Sequence, residues 1–497
     1  MQFAEHEIRR LINQIDDILN YINRLEEKHS DRIKRVDPRH LQSAKNLVHY
    51  LGLRHFDVRP MQEPLAKMGL SSLGRAESHT LANLRAVRYH LYNLLNTDWN
   101  FDHHCISLHQ ARHLLRKNTE ALLGAPPAGR STRIMVTLPK KAVKDRDLVA
   151  SMIDAGADLF RINCAKDDAE TWKKMINQVR EASLAAGRNV KVLMDLAGPK
   201  LRTTALKNNI PVKEGDELNI YRDQAIMDNE NTAGIPGFCM SLTQVFEDIK
   251  VGEAVLVDDG EIRGRVVANK AGVIRVKIEF AETGARIKPD KGINFPETNL
   301  SISGLTDKDK QNLEFIARHA DVVNMSFIRN RYDVYDLFNA LKKLKAPNLG
   351  VMLKIETPQA FRRLPQILLT LMQHYPVGIM IARGDLAVES GWERTAEMQE
   401  ELLWITEAAH IPNVWATQVL EKQAKSGLPS RAEITDAAMG QRSDCVMLNK
   451  GPHIVETISM LSDILTRMER HQYKKSPLLR KLDMANDLNL LDHDLIS

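Results

Sequence analysis

Cysteine is scarce in this chain: 497 residues hold four, Cys105, Cys164, Cys239 and Cys445, far apart, with no CxxC pair and no Cys/His spacing of a zinc site. A disulfide framework and a zinc cluster are thereby excluded, and a reducing compartment fits. Aromatic residues are also few, at 5%, and no apolar run approaches the ~20 residues of a membrane span. The opening MQFAEHEIRRLINQ mixes acids and bases, where a signal peptide has a basic start and an apolar stretch. We expect a cytoplasmic protein with no membrane partner. A dominant charge is missing too: 69 Lys+Arg against 64 Asp+Glu leaves +5. That excess gives no ground for nucleic-acid binding but is compatible with small anionic ligands.

What is present is an ordinary globular composition, 43% hydrophobic and 27% charged, which excludes disorder as the main state. At ~150 residues per domain the length allows roughly three domains, or an α/β barrel with insertions. Residues 1–126 read as helices. Ile8, Leu11, Ile12, Ile15, Ile18, Leu19 and Ile22 recur at spacings of three and four, the period of one apolar helix face. Further helical patterns lie around 40–53, 60–69, 78–96 and 107–123. No catalytic constellation appears in this all-α N-terminal domain, and packing or oligomerisation is its simplest role; a homo-oligomer is expected. The basic stretch from Tyr50 to Arg59 reads equally as an anion site or as a solvated helix end.

After the Gly/Pro-rich linker from Leu123 to Arg130 the pattern changes. Eight short apolar runs alternate with helical segments: Arg133–Leu138, Asp158–Ile162, Val190–Met194, Val322–Met325, Gly350–Leu353, Val377–Ile381, Val414–Ala416 and Cys445–Leu448. Buried parallel strands read as continuous apolar runs, and eight of them predict an α/β chain folded as a (β/α)8 TIM barrel. Polar residues return at the ends of these runs: Thr137, Arg161, Asp195, Ser326, Lys354 with Glu356, Arg383 with Asp385, and Thr417. One rim would gather them all. Between 204 and 290 the alternation gives way to short Gly-punctuated β patterns, which predict an inserted small β-barrel lid. The expected division is 1–126 helical, 127–203 and 291–472 barrel, 204–290 lid, and 473–497 a basic tail.

Lys354 and Glu356 alternate on one strand, so both face the barrel mouth. They are either a rim salt bridge or half of a site. The run from Met380 to Leu386 turns through Gly384 into a helix start, where backbone N–H groups of Ala382, Arg383 and Gly384 suit an anion. Glu356 with Asp385 forms a ligand set for Mg²⁺ or Mn²⁺, which keep one or two carboxylates and fill the shell with substrate oxygens and water. Arg161 and Arg202 either clamp phosphate or pair with a neighbouring carboxylate. Thr417 is a cap or a functional hydroxyl. Cations aimed at oxygens beside a carboxylate-held metal are the equipment of phosphoryl transfer.

From Thr132 to about Glu469 the motifs TRIMVTLP, ADLFRIN, MDLAGPKLRT, VDDGEI, DKGINFP, MSFIRN, LKIE, IARGDLAVE, WATQVLE and SRAEITDAAM stand in order, and in them the chain resembles the pyruvate kinase family. The resemblance implies phosphoryl transfer from phosphoenolpyruvate to ADP, giving pyruvate and ATP. It implies Glu356 and Asp385 as metal ligands, Lys354 at the transferring phosphoryl and enolate oxygen, and Arg161 on the phosphate. Ser326, the backbone of Ala382, Arg383 and Gly384, and Thr417 would receive the substrate, with Thr417 also near the proton delivered to the enolate carbon. Pro139, Arg202 and Lys291 would face the nucleotide, with Asp259 on the closing lid. An atypical member is implied. Asn163-Cys164-Ala165-Lys166 replaces the family's Asn-Phe-Ser-His, and Asp195-Leu-Ala-Gly-Pro-Lys200 its Asp-Thr-Lys-Gly-Pro-Glu, so two potassium ligands are missing and Lys200 stands for the ion. We expect activity without K⁺. Altered acceptor loops leave room for another phosphoryl acceptor, for keto-acid lyase chemistry, or for a catalytically weak phosphoenolpyruvate-binding regulator. The family's C-terminal effector domain has no counterpart after Glu469, so regulation by a sugar bisphosphate at that place is not expected.

Overall fold

The computed structural model describes residues 4–97, 104–206, 208–229 and 234–478; most of the basic tail thus lies outside the described residues. The helical region contains α1 (Glu5–Lys28), α2 (Leu41–Arg54), α3 (Thr80–Leu94) and α4 (Leu108–Leu123), with shorter helices between them. The seven isoleucines and leucines expected on one face of α1 are all buried, against Leu53, Leu65, Leu84, Val87 and Leu91. A reciprocal Ser107/Gln110 capping box starts α4, and Gly124 at φ +91° ends it, a backbone region that only glycine enters cheaply.

All eight expected runs are strands: β1 (Arg133–Thr137), β2 (Leu159–Asn163), β3 (Lys191–Asp195), β4 (Val322–Met325), β5 (Gly350–Ile355), β6 (Val377–Ala382), β7 (Asn413–Ala416) and β8 (Cys445–Leu448). Each pairs in parallel with its sequence neighbours, and β1 with β8 closes the barrel. Strand β5 runs two residues beyond its apolar stretch, with Lys354 opposite Met380 and Ile355 opposite Ile381, because the neighbouring strand β6 continues alongside to pair with them. Helices α5 (Arg383–Ser390) and α6 (Trp392–Ala408) follow β6.

Met135, Leu159, Leu193, Val322, Met352, Met380, Val414 and Cys445 fill the barrel interior, and Leu122 and Leu123 of α4 join them from below. A Cβ at Gly378 would stand 2.4 Å from a Leu122 methyl, and one at Gly350 2.8 Å from another. These two strand-start glycines therefore admit the Leu122 side chain, and α4 forms the barrel floor.

The second closed barrel orders Val273–Ala281, Glu217–Tyr221, Gly237–Met240, Leu201–Thr204, Gly292–Asn294, Ala254–Val257 and Ile262–Lys270. The chain enters by Leu201–Thr204 and leaves by Gly292–Asn294, which lie antiparallel side by side. Its separate core is built on Leu218, Ile220, Phe238, Val255 and Ile274. Among the described residues no helix is long and apolar enough to cross a membrane.

Buried polar groups dock the helical region on the barrel. Asn46 Nδ2 donates to Ala408 O at 2.8 Å, and Asn118 Nδ2 to His410 O at 2.8 Å. The His410 ring lies between Ser43 Oγ, 3.0 Å from Nδ1, and Ser78 O, 2.8 Å from Nε2. A carbonyl can only accept, so Nε2 carries the proton and Nδ1 accepts from the Ser43 hydroxyl. Complete burial holds this imidazole at about 4, below its ordinary 6.5. A depressed histidine contributes fully above pH 6.5, and its contribution is lost as pH falls toward 4. Lowering the pH from 7 to 5 is therefore expected to cost about 2 kcal/mol at this residue, read as a fall in Tm. His410→Gln should flatten that dependence, and an unchanged slope would remove His410 as its source.

Candidate active site

The chemistry-bearing residues converge where the barrel rim meets the lid. Lys354 near the end of β5 and Glu356 just past it form an ion pair with Nζ 2.6 Å from Oε1. Glu356 is fully buried, and its Oε2 accepts the Phe327 N–H at 2.6 Å. The Lys354 ammonium is the group that meets the other oxygen, Oε1. Lys354 also reaches Ser326 Oγ at 3.3 Å, and that hydroxyl donates to Leu196 O. Burial pushes the Glu356 carboxyl above its ordinary value despite Lys354. For Lys354 burial acts downward, but the Glu356 and Asp195 carboxylates outweigh it and hold the ammonium above its usual range.

Asp385, in the first turn of α5, faces Lys200 with Nζ 2.8 Å from Oδ1. Its carboxyl is held low: burial would raise it, and Lys200 and Lys354 more than offset that. Lys200 reaches the other way toward Asp259 on the lid, at 3.9 Å. Its stem crosses Gly292, where a Cβ would stand 2.9 Å from Lys200 Cε. One ammonium therefore ties the barrel carboxylate to the lid.

Arg161, in the middle of β2, donates through Nε to Asp195 Oδ2 at 2.8 Å, pairs through Nη2 with the same oxygen at 2.6 Å, and donates through Nη1 to Thr137 Oγ1 at 3.1 Å. Asn324 Nδ2 holds the other Asp195 oxygen at 2.9 Å. The carboxylate pairing weighed for Arg161 is thus present, and it aims the guanidinium across the mouth. Lys354, Lys200 and Arg161 face Glu356, Asp385 and Asp195, three cations against three carboxylates.

Thr417 sits at φ +69°, with Gln418 at +57° and Leu420 at +48° close behind. A β-branched residue held in the left-handed region is strained, and such strain clusters at functional sites. The strain places Thr417 Oγ1 2.7 Å from the Gly384 N–H, which donates to it. That N–H, expected to be open to a substrate carboxylate, is therefore occupied by Thr417. Arg383 needs a second correction. Its guanidinium leaves the mouth, pairs with Asp436 (Nη2 to Oδ2 2.8 Å) and stacks over Trp415. A fully buried tryptophan on β7 and a partly buried acid on the helix Arg431–Gly440 win it, so only the backbone at Ala382 and Arg383 stays near the site.

Of the residues expected to face a nucleotide, Pro139 is buried just after β1. Lys291 pairs with Asp258 at 2.6 Å, and Arg202 binds Asp290 O at 2.9 Å. These two cations line the lid rather than the carboxylate cluster. Two features escape sequence reading. Glu389 lies one turn after Asp385 and accepts from Asn294 of the lid, and burial pushes its carboxyl up to about 7; its i+4 spacing from Asp385 was the available signal. The Phe327 N–H on Glu356 had none.

The sequence signature described as pyruvate kinase, barrel domain, matches residues 129–453. The chain belongs to the pyruvate kinase family. Similar curated proteins include the pyruvate kinase of Thermotoga maritima, 30% identical over 349 residues, 69% of this chain and 72% of that protein. Those of Methylorubrum extorquens and Thermococcus litoralis are each 32% identical over 69% of this chain, covering 69% and 70% of their own lengths. The matched span covers the barrel and lid and leaves out α1 to α4. Family membership makes the chain a phosphotransferase, and the charge cluster lies wholly within the matched span.

Proposed function

We propose that the protein transfers the phosphoryl group of phosphoenolpyruvate to ADP, giving pyruvate and ATP, and does so without potassium. The observation that carries the reading is the balanced cluster of Lys354, Lys200 and Arg161 with Glu356, Asp385 and Asp195 at one barrel mouth. The donor set suits Mg²⁺ or Mn²⁺: Glu356 is a fully buried carboxylate at the mouth, and Asp385 is a second hard carboxylate held ionised. These two residues would hold the ion, which when bound supplies positive charge against phosphoryl oxygens.

The protein's own groups do the remaining work. Lys354, charged throughout the neutral range, stabilises the negative charge that moves onto the enolate oxygen and the transferring phosphoryl. Arg161, aimed by Asp195, holds the phosphate. Ser326 and the β6–α5 backbone orient the substrate, and Thr417 stands where a proton reaches the enolate carbon. Closure of the lid excludes water, with Lys291, Arg202, Pro139 and Asp259 on the nucleotide side. At Asp385, Lys200 supplies the fixed charge for which the resemblance leaves no potassium ligands.

A second reading, transfer to a different anionic acceptor, draws on Lys450. It stands just after β8, and burial lowers its ammonium, with Lys166 and Arg161 acting the same way against Asp167, so lysines gather beside Arg161 where an anionic acceptor could meet them.

With phosphoenolpyruvate, Mg²⁺ and each nucleoside diphosphate, pyruvate release should require a diphosphate; release that no diphosphate supports but another added anionic acceptor does favours the second reading. Lys354→Met should lower turnover at least a thousandfold while calorimetry still shows metal binding, and an active variant would overturn the role of that lysine. Replacing tetramethylammonium chloride by potassium chloride should leave turnover within about twofold, since the Lys200 charge is built in. A tenfold rise would end the potassium-independent reading.

A further inference from the structure

The segment between α1 and α2 carries arginines that the catalytic reading does not use. Its Ile33 and Val36 are buried in the same core as Leu369, and the Asp37 N–H donates to Met372 O at 2.8 Å. These contacts seat the segment on the helix Leu364–Leu371, which follows β5. Arg32 and Arg35 then reach a cavity of about 50 Å³, which Arg331 meets from the start of the helix Arg331–Lys343, after β4. Leu369 and Thr370, both buried, line it as well.

Three guanidiniums thus share one small space, and a guanidinium stays charged at every working pH. The lining contains no carboxylate. Among the described residues none of the three arginines forms an ion pair. Arg331 meets Tyr332, whose hydroxyl accepts from Nη2 at 3.0 Å and whose ring lies under the guanidinium, a neutral partner. Of the acids near them in sequence, Asp31 is exposed and pairs with none of them. Asp37 is taken by Arg39, with Nη2 2.8 Å from Oδ2, and Asp333 accepts the Arg329 and Asn330 N–H groups at 2.8 and 3.2 Å. The stretch from Tyr50 to Arg59 holds no such cluster: Arg54 donates to the Tyr50 hydroxyl at 2.7 Å and stacks over Trp404, and Arg59 pairs with Asp57 at 2.7 Å.

The size of the space selects the ligand. At ~10–15 Å³ per water it holds a few waters or one tetrahedral oxyanion, and it excludes a sugar ring or a base. Guanidinium forks suit the several oxygens of a phosphoryl group. Gln373 Nε2 donates to the Tyr335 hydroxyl in the same lining at 3.3 Å, which leaves the phenolic proton free to be donated in turn.

We propose that this cavity binds a phosphoryl group, either inorganic phosphate or the phosphate of a small monoester whose organic part stays in solvent. Two of its cations come from the helical region and one from the barrel, and like charges so placed repel until an anion sits between them. The bound anion therefore fastens the helical region to the helices that follow β4 and β5. This inference does not rest on the catalytic reading.

The test combines thermal melts and calorimetric titration of the full-length protein at constant ionic strength, which holds general screening fixed. The probes are inorganic phosphate, glycerol 3-phosphate and acetate. Four proteins are compared: the wild type, Arg32→Gln/Arg35→Gln, Arg331→Gln, and Arg161→Gln at the barrel mouth. The first two variants lie outside the mouth and should keep basal turnover. Phosphate at ten times its dissociation constant should raise the Tm of the wild type and of Arg161→Gln alike by about 2 °C, and acetate should not. In Arg32→Gln/Arg35→Gln and in Arg331→Gln phosphate affinity should fall about tenfold or more, the scale of a lost charge-assisted hydrogen bond. Tighter binding of glycerol 3-phosphate than of phosphate assigns the site to a monoester, and equal or weaker binding to the free ion. Should the double variant melt early without phosphate, Arg35→Gln, at an exposed side chain, replaces it, with about a threefold loss expected. No rise in Tm, an equal rise with acetate, a rise lost in Arg161→Gln, or one kept in the Arg32 and Arg35 variants overturns the proposal.

Discussion

Two buried ion pairs at the barrel rim, Lys354 with Glu356 and Lys200 with Asp385, are the constraint to which the site is built. A carboxylate as buried as Glu356 is costly to ionise alone, and removing one partner of such a pair leaves the other uncompensated. The cations must therefore come from rigid elements. Lys354 lies near the end of β5 and its partner Glu356 just past that end, two residues on, so the extended chain sets their approach. Lys200 arrives from the crossing into the lid, so its pair with Asp385 also fixes where the lid begins.

The same logic extends outward. Asp195 is held by Asn324 and in turn holds Arg161, so the third cation is placed by a carboxylate that is itself placed. Nothing in this set is left to a free surface side chain. Pre-placed charge of this kind serves catalysis because it needs no reorganisation when charge develops. The lid contributes Asp259 near Lys200 and Asn294 on Glu389, two polar contacts through which its position is felt at the mouth.

Below, the barrel is closed by a helix from outside the family match. Leu122 enters where Gly350 and Gly378 leave room, and His410, Asn46 and Asn118 fasten the helical region through buried hydrogen bonds. The barrel is thus finished at both ends by other parts of the chain. The floor is apolar and the top is charged, which matches packing at the strand starts and chemistry at the strand ends.

Much of this was legible in the order of residues. Continuous apolar runs marked all eight barrel strands because parallel strands are buried on both faces. Period-two placement of Lys354 and Glu356 put both charges at the rim, and the α1 stripe of isoleucine and leucine identified its buried face. What pairs with what was not legible. Arg383 stood in a motif beside Asp385, yet Asp436 and Trp415, 53 and 32 positions on, draw its guanidinium away. The Phe327 N–H that holds Glu356 has no side-chain signature at all, and the Gly384 N–H is taken by a threonine whose left-handed backbone no local pattern announces. Local periodicity and rim polarity thus determined the elements and the kinds of residue at the site. Only barrel closure, lid placement and helix docking decided which charges meet, because those contacts join positions far apart in the chain.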